Sequence, residues 1–185
     1  MALSDLFAQN ALVRWIRGDS QRYDLAVTMT GVRLGERVLQ VGCEDAGLLA
    51  ALGAKVGLTG RACGVDPDPV VAQRALASAE AAGVLIETSA APYGRLGHDD
   101  GSFDLVVVRR LGAMLEPGPL AEALREAHRV LRPGGRGLVV GGAVRGATVD
   151  SAADARAMVS AGFRGARVLA ERAGWTFVEG LKPAS

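Results

Sequence analysis

The sequence carries almost no net charge, only two cysteines, and no apolar run long enough to cross a bilayer. Lys and Arg number 21 against 20 Asp and Glu, leaving +1, and no block of like charge stands out. That balance lacks the electrostatic footprint that nucleic acid or an acidic lipid surface demands of a partner. A membrane helix takes ~20 consecutive apolar residues. Cys43 and Cys63 are too few, and wrongly spaced, for a metal cluster; their place beside apolar segments reads as two reduced, buried thiols. The N-terminal MALSDLFAQN has an acid and no basic stretch before a long apolar run, unlike a secretory signal. The expectation is a cytoplasmic protein with no nucleic-acid partner, no membrane partner and no metal.

What the sequence does contain is a globular composition. Of 185 residues, 49% are hydrophobic and 22% charged, the size and make-up of one ordinary domain. Residues 4–17 predict a helix with Leu6, Phe7, Leu12, Trp15 and Ile16 sharing much of one face. A second short helix and a loop follow. Residues 1–32 thus read as a helical cap and 33–185 as an α/β domain, together one compact unit.

From residue 37 onward strands alternate with helices. RVLQV (37–41) is the first strand, and residues 47–57 form a helix ended by Gly57 and Gly60. Residues 63–66 make a second strand; 67–82 make a helix with proline at its start, where a missing N–H costs nothing. VLIE (84–87) predicts strand three and FDLVVV (103–108) strand four, with a loop between. Helix 118–131 is stopped by Pro133-Gly134-Gly135, strand five spans 136–142, and a helix covers 151–161. Residues 167–170 and 175–179 close the chain as a hairpin. This alternation implies right-handed parallel crossovers and an open α/β sheet, to which the hairpin adds one antiparallel strand. Strands that are continuously apolar indicate helices on both faces.

In such sheets ligands bind beyond the carboxyl ends of the strands, where strand order reverses. RVLQVGCEDAG (37–47) is therefore the first candidate site: a strand running into a glycine loop and a helix N-terminus. Asp66, ending strand two, lies 24 residues beyond Gly42. A carboxylate there can accept hydrogen bonds from two ribose hydroxyls. The other role its position suits is to cap the helix at 67–82.

Five segments in this order extend the pattern: RVLQVGC, KVGLTGRACGVDPDP, DDGSFDLVVVRRLGAMLE, LREAHRVLRPGGRGLVV and GFRGARVLAERAGWTFVEGLKP. They resemble the class I S-adenosylmethionine-dependent methyltransferases, most of all the small ubiquinone/menaquinone-biosynthesis type, over residues 33–183. The resemblance implies a Rossmann-like, seven-stranded, mostly parallel sheet with its last strand antiparallel. It implies S-adenosylmethionine over strands one to three and an acceptor near the end of strand four. By position, the cofactor-binding residues are Gln40, Gly42, Cys43, Glu44, Asp66, Pro67, Ser89, Ala90 and Arg109. Gly42 falls under the methionine part, Asp66 on the ribose, and Ser89 and Ala90 near the adenine.

Several positions depart from the family pattern. Its acid at the end of strand one is Gln40 here, and its second and third loop glycines are Glu44 and Ala46. A hydrogen bond to a charged group contributes ~1.5–3 kcal/mol, so two lost contacts weaken binding by about two to four decades. Glu44 either pairs with the cofactor's ammonium group or fills the space the ligand needs. Arg109 and Arg110 either meet an anionic acceptor or pair with Glu44 or Asp45. Methyl transfer from a sulfonium needs placement more than a fixed catalytic motif; His98 is the candidate base, with Asp99 or Asp100 to orient it. His128, on an apolar helical stripe, reads as packing. Trp15, Tyr23 and Met29 are either an apolar lid over the acceptor or part of the core. Two functions follow: methyl transfer to a small-molecule acceptor, or a silent methyltransferase-fold protein that acts as a binding or assembly partner. With so short an N-terminal region, a second copy or a partner subunit would complete the pocket for a large acceptor.

Overall fold

The computed structural model describes residues 23–142 and 149–184. The helix expected at 4–17, with Trp15, lies outside the described residues. Residues 23–30 are helical (α1). The elements that follow are β1 (Arg37–Val41), α2 (Ala46–Val56), β2 (Arg61–Asp66), α3 (Pro69–Ala81), β3 (Glu87–Ala90) and β4 (Phe103–Arg109). A 3-10 turn, Gly112–Leu115, leads into α4 (Pro117–Val130), β5 (Leu131–Gly142), α5 (Ser151–Ser160), β6 (Arg164–Arg172) and β7 (Trp175–Leu181).

Among the described residues seven strands form one sheet in the order β3-β2-β1-β4-β5-β7-β6, and only β7 runs against the rest. This is the open, mostly parallel α/β sheet expected from the alternation of strands and helices, in the seven-stranded, Rossmann-like form that the family resemblance implies. Side-chain alternation along the strands builds the two faces. Leu39, Val41, Val106 and Val108 point toward α4 and α5, where Leu124, Ala127 and Met158 bury them. Val38, Leu105 and Val107 point the other way, onto α1 and α2 through Tyr23, Ala26, Leu48 and Leu52. Helix α3 joins this second layer through Ala75, packed with Leu49 and Cys43.

Three of the boundaries that differ from the sequence expectation have a visible physical cause. Strand three is Glu87–Ala90 rather than 84–87. The apolar run ahead of it packs on a helix instead of pairing: Val84 and Ile86 press so closely on Gly53 of α2 that a Cβ there would stand 2.8 Å from each. Strand five begins five residues early, because Leu131 already pairs with Phe103 before the register shifts and pairing resumes at Arg136. Gly134, at φ +73°, makes that excursion. Helix α3 begins at Pro69 rather than 67, and its cap is Asp68, which accepts from the Val70 amide at 2.8 Å. Asp66 is therefore not the cap of α3, and its carboxylate serves another purpose.

Candidate functional site: the crevice beyond β1 and β4

Strand order reverses between β1 and β4, so the crevice beyond their carboxyl ends is the place where this fold takes ligands. The sequence-designated residues gather around it. Gly42 leaves β1 at φ +87°, a backbone state that disfavours a side chain, and a Cβ would also stand 3.3 Å from the Arg109 carbonyl oxygen. Asp66, 4% exposed at the end of β2, accepts from the Cys43 amide at 2.8 Å and from the Asp68 amide at 3.0 Å. Its carboxylate thus ties the β1 loop to the start of α3. Pro67 and Ala90 flank it, Ala90 by direct register with Asp66 and Ser89 by register with Val65.

Gln40 explains how the loop holds its shape without the family's acid. Its amide nitrogen donates to the Gly42 carbonyl at 2.9 Å and the Asp45 carbonyl at 3.3 Å, bonds that a carboxylate cannot donate. Cys43 turns its thiol inward against Gly64, and burial, followed by the nearby Asp66 carboxylate, pushes its pKa up to about 12. It is a protonated, inert packing group at neutral pH.

The two arginines after the buried strand part company. Arg109 is fully buried and pairs with Asp45, its Nε and Nη2 each 3.0 Å from Oδ2. The same guanidinium donates to the Val140 and Gly142 carbonyls at 2.9 and 2.8 Å, and its central carbon lies 4.8 Å from the Trp175 ring centroid. Tyr23 donates its hydroxyl to the other Asp45 oxygen and packs edge-on against Trp175. Of the alternatives open for Arg109, the structure takes the pairing with Asp45. Tyr23 is part of the buried core as well as this network, and Met29 is half-buried against the same layer. Arg110 turns to the opposite helical layer, where its Nε stands 3.2 Å from Asp154 of α5 and its Nη1 donates to the Met114 carbonyl.

Glu44 extends from the β1 loop to the far wall of the crevice. It is exposed, and a Cβ on Gly112 would stand 2.6 Å from its carboxyl carbon. Glycine at 112 leaves that space to the carboxylate, the far end of an exposed and movable side chain. Tyr93, from the loop after β3, is buried beside these groups, and burial, then the Asp66 and Glu44 charges, raise its pKa. Sequence reading missed Tyr93, because a lone tyrosine in a polar loop carries no periodic signal.

His98 is not among these groups. It packs edge-on against Phe103, the first residue of β4, at 4.9 Å, and so belongs to the amino ends of the strands, opposite the crevice. It borders a surface groove with Arg95, Asp99, Glu126 and Arg129. Burial, and next the Arg61 charge, hold its pKa below the ordinary value; Arg129 acts the same way, while Glu87 and Asp99 oppose them. The unfolded chain therefore binds a proton near pH 6.5 that the folded chain resists, and stability is lost as pH falls below that value. A His98→Phe substitution is expected to flatten the stability–pH profile between roughly pH 6.5 and 5, read by thermal unfolding. His128, also lowered chiefly by burial and packed edge-on at 5.2 Å against Phe163, keeps the residual slope. An unchanged slope in the variant would contradict this assignment.

Known proteins place the geometry in context. A family model described as a methyltransferase domain matches residues 38–135. An uncharacterized 37.1 kDa protein in transposon TN4556 of Streptomyces fradiae is 36% identical over 110 residues, 59% of this chain. The match spans only 30% of that relative's length. Among solved structures, a SAM-dependent methyltransferase from Aquifex aeolicus superposes with a TM-score of 0.73 at 19% identity, covering 86% of this chain and 88% of that one. The [4+2]-cyclase SpnF superposes at 0.69 with 17% identity, covering 90% and 81%. At such identities the structural likeness establishes the fold. No described helix is long and apolar enough to cross a membrane.

S-adenosylmethionine is the cofactor that the family match implies, and the residues fit its adenosine half. Each Asp66 oxygen takes one N–H and keeps a lone pair for a ribose hydroxyl. Gly42 leaves open the space where its Cβ would stand. Facing the methionine side, the Glu44 carboxylate lies against Gly112 at the end of an exposed side chain that is free to rotate away.

Proposed function

The chain belongs to the methyltransferase-domain family, and from that premise we propose that it moves a methyl group from S-adenosylmethionine to a small-molecule acceptor. The observation that carries this reading is Asp66, buried at the end of β2 with lone pairs to spare beside the positive-φ Gly42. When bound, the cofactor supplies an activated methyl group on a sulfonium. The chain's own task is to hold the ribose at Asp66, to support the ligand on the Gly42 backbone, and to align an acceptor for in-line attack. A small acceptor suits the packed layer past β4 and β5, where Arg109, Tyr23 and Trp175 already fill the space.

A second reading, a silent protein that binds a partner through this fold, is favoured by two features. Glu44 rests against Gly112, and the Arg109 charge is spent on Asp45. Titration calorimetry with S-adenosylmethionine and S-adenosylhomocysteine separates the two. Dissociation constants near 1 μM, about −8 kcal/mol, are expected for a working site. No heat at millimolar ligand would sink methyl transfer and leave the silent reading.

A further inference from the structure

The inference below rests on the reading that an adenosine-based cofactor occupies the crevice, and it concerns the charge that cofactor carries. Two ion pairs beside the crevice are internally neutral: Asp45 with Arg109, and Asp154 with Arg110. Two carboxylates are not. Among the described residues neither Glu44 nor Asp66 is paired with a Lys, Arg or His side chain. Asp66 accepts only backbone N–H groups, while Glu44 lies in contact range of a glycine. They come from different elements: Glu44 from the loop after β1, exposed at the mouth of the crevice, and Asp66 from the end of β2, buried at its floor. Their fields converge on Tyr93, whose phenol feels both charges.

We propose that Glu44 makes this site selective for cationic nucleosides, so that affinity rises with the positive charge on the ligand's side chain. A neutral thioether nucleoside with a zwitterionic amino-acid tail gains nothing from the unpaired carboxylates. A sulfonium with the same tail carries one net positive charge and gains from them. A sulfonium that keeps its amine but lacks a carboxylate carries two, and has no anionic group to meet Glu44. The site ranks the three in that order, while phosphate-bearing nucleotides are repelled. Glu44 sets the size of the steps because it is the carboxylate a ligand must displace from Gly112, whereas Asp66 acts on the ribose that all three share. Glu44 is exposed, so the steps shrink as salt rises.

The test is a calorimetric series at low and at physiological salt with S-adenosylhomocysteine, S-adenosylmethionine and decarboxylated S-adenosylmethionine, on the unaltered chain and on Glu44→Gln. That variant keeps the side-chain length and removes only the charge, at an exposed position where folding is unaffected; circular dichroism verifies that. Each added positive charge is expected to tighten binding by about tenfold at low salt. In Glu44→Gln each step is expected to fall to about threefold or less. The proposal is overturned if S-adenosylmethionine binds as tightly as its decarboxylated form, or if the steps survive the substitution. Binding of S-adenosylmethionine without the charge order sinks the selectivity and leaves methyl transfer standing. Silence from every ligand on both proteins removes the proposed function and the selectivity together.

Discussion

Replacing Arg109 with alanine is expected to cost about 3–5 kcal/mol of folding stability, read as a fall in the urea midpoint at unchanged slope. Such a loss is a large share of the roughly 5–15 kcal/mol that holds an ordinary domain folded. The side chain is fully buried, so nothing replaces it when it goes. Asp45, 8% exposed, would keep only the Tyr23 hydroxyl as a side-chain partner for its charge among the described contacts. The Val140 and Gly142 carbonyls would each lose a donor, and Trp175 the cation on its face. The desolvation already spent on the pair makes removing one partner far worse than removing both. The double variant Asp45→Asn with Arg109→Met is therefore expected to recover at least half of the loss. A single variant within ~1 kcal/mol of the parent would mean that the pair is solvated and contributes as a surface bridge does.

That network also marks the limit of what the sequence could disclose. Local signals placed β1 to the residue and α2 and α4 to within one, because each has its own stop or start: Gly57 after α2, Pro133 after α4, a continuous apolar run in β1. The open α/β sheet follows from the order of those elements, and its seven-stranded form from the resemblance of the five segments. Strand three lies beyond its apolar signal because it is an edge, exposed on both faces, and so shows no apolar alternation. Val84 and Ile86 before it belong to the contact with Gly53, which only the packed structure displays, while Leu85 between them is exposed. In the crevice, Gly42 and Asp66 announced themselves by residue type and separation. The partner of Arg109 did not: Asp45 lies 64 positions away, and Glu44 was as good a candidate until the backbone aimed one acid inward and the other across the mouth.

Asp66→Ala is expected to weaken S-adenosylmethionine binding by at least ~100-fold, because two ribose hydrogen bonds of ~1.5–3 kcal/mol each disappear together. The same substitution acts on the fold. It strands the Cys43 amide, a buried N–H, and the Asp68 amide, which lies nearer the surface. Water can reach the second and not the first, so the stability loss is expected near ~2–3 kcal/mol rather than twice that. Calorimetry and urea denaturation on the same preparation distinguish the roles. If stability falls while affinity stays within threefold, Asp66 is a clamp between the β1 loop and α3 and the ribose is held elsewhere. If both fall, an intermediate variant decides whether one causes the other. Asp66→Asn keeps one accepting oxygen, which can hold the buried Cys43 amide, while its NH2 faces the Asp68 N–H where water can intervene; it should retain about half of the loop closure while losing the charge and half of the ribose contact. A stable Asp66→Asn protein with binding weakened by about tenfold or more would show that the carboxylate acts on the ligand directly, and not only through the loop it ties down.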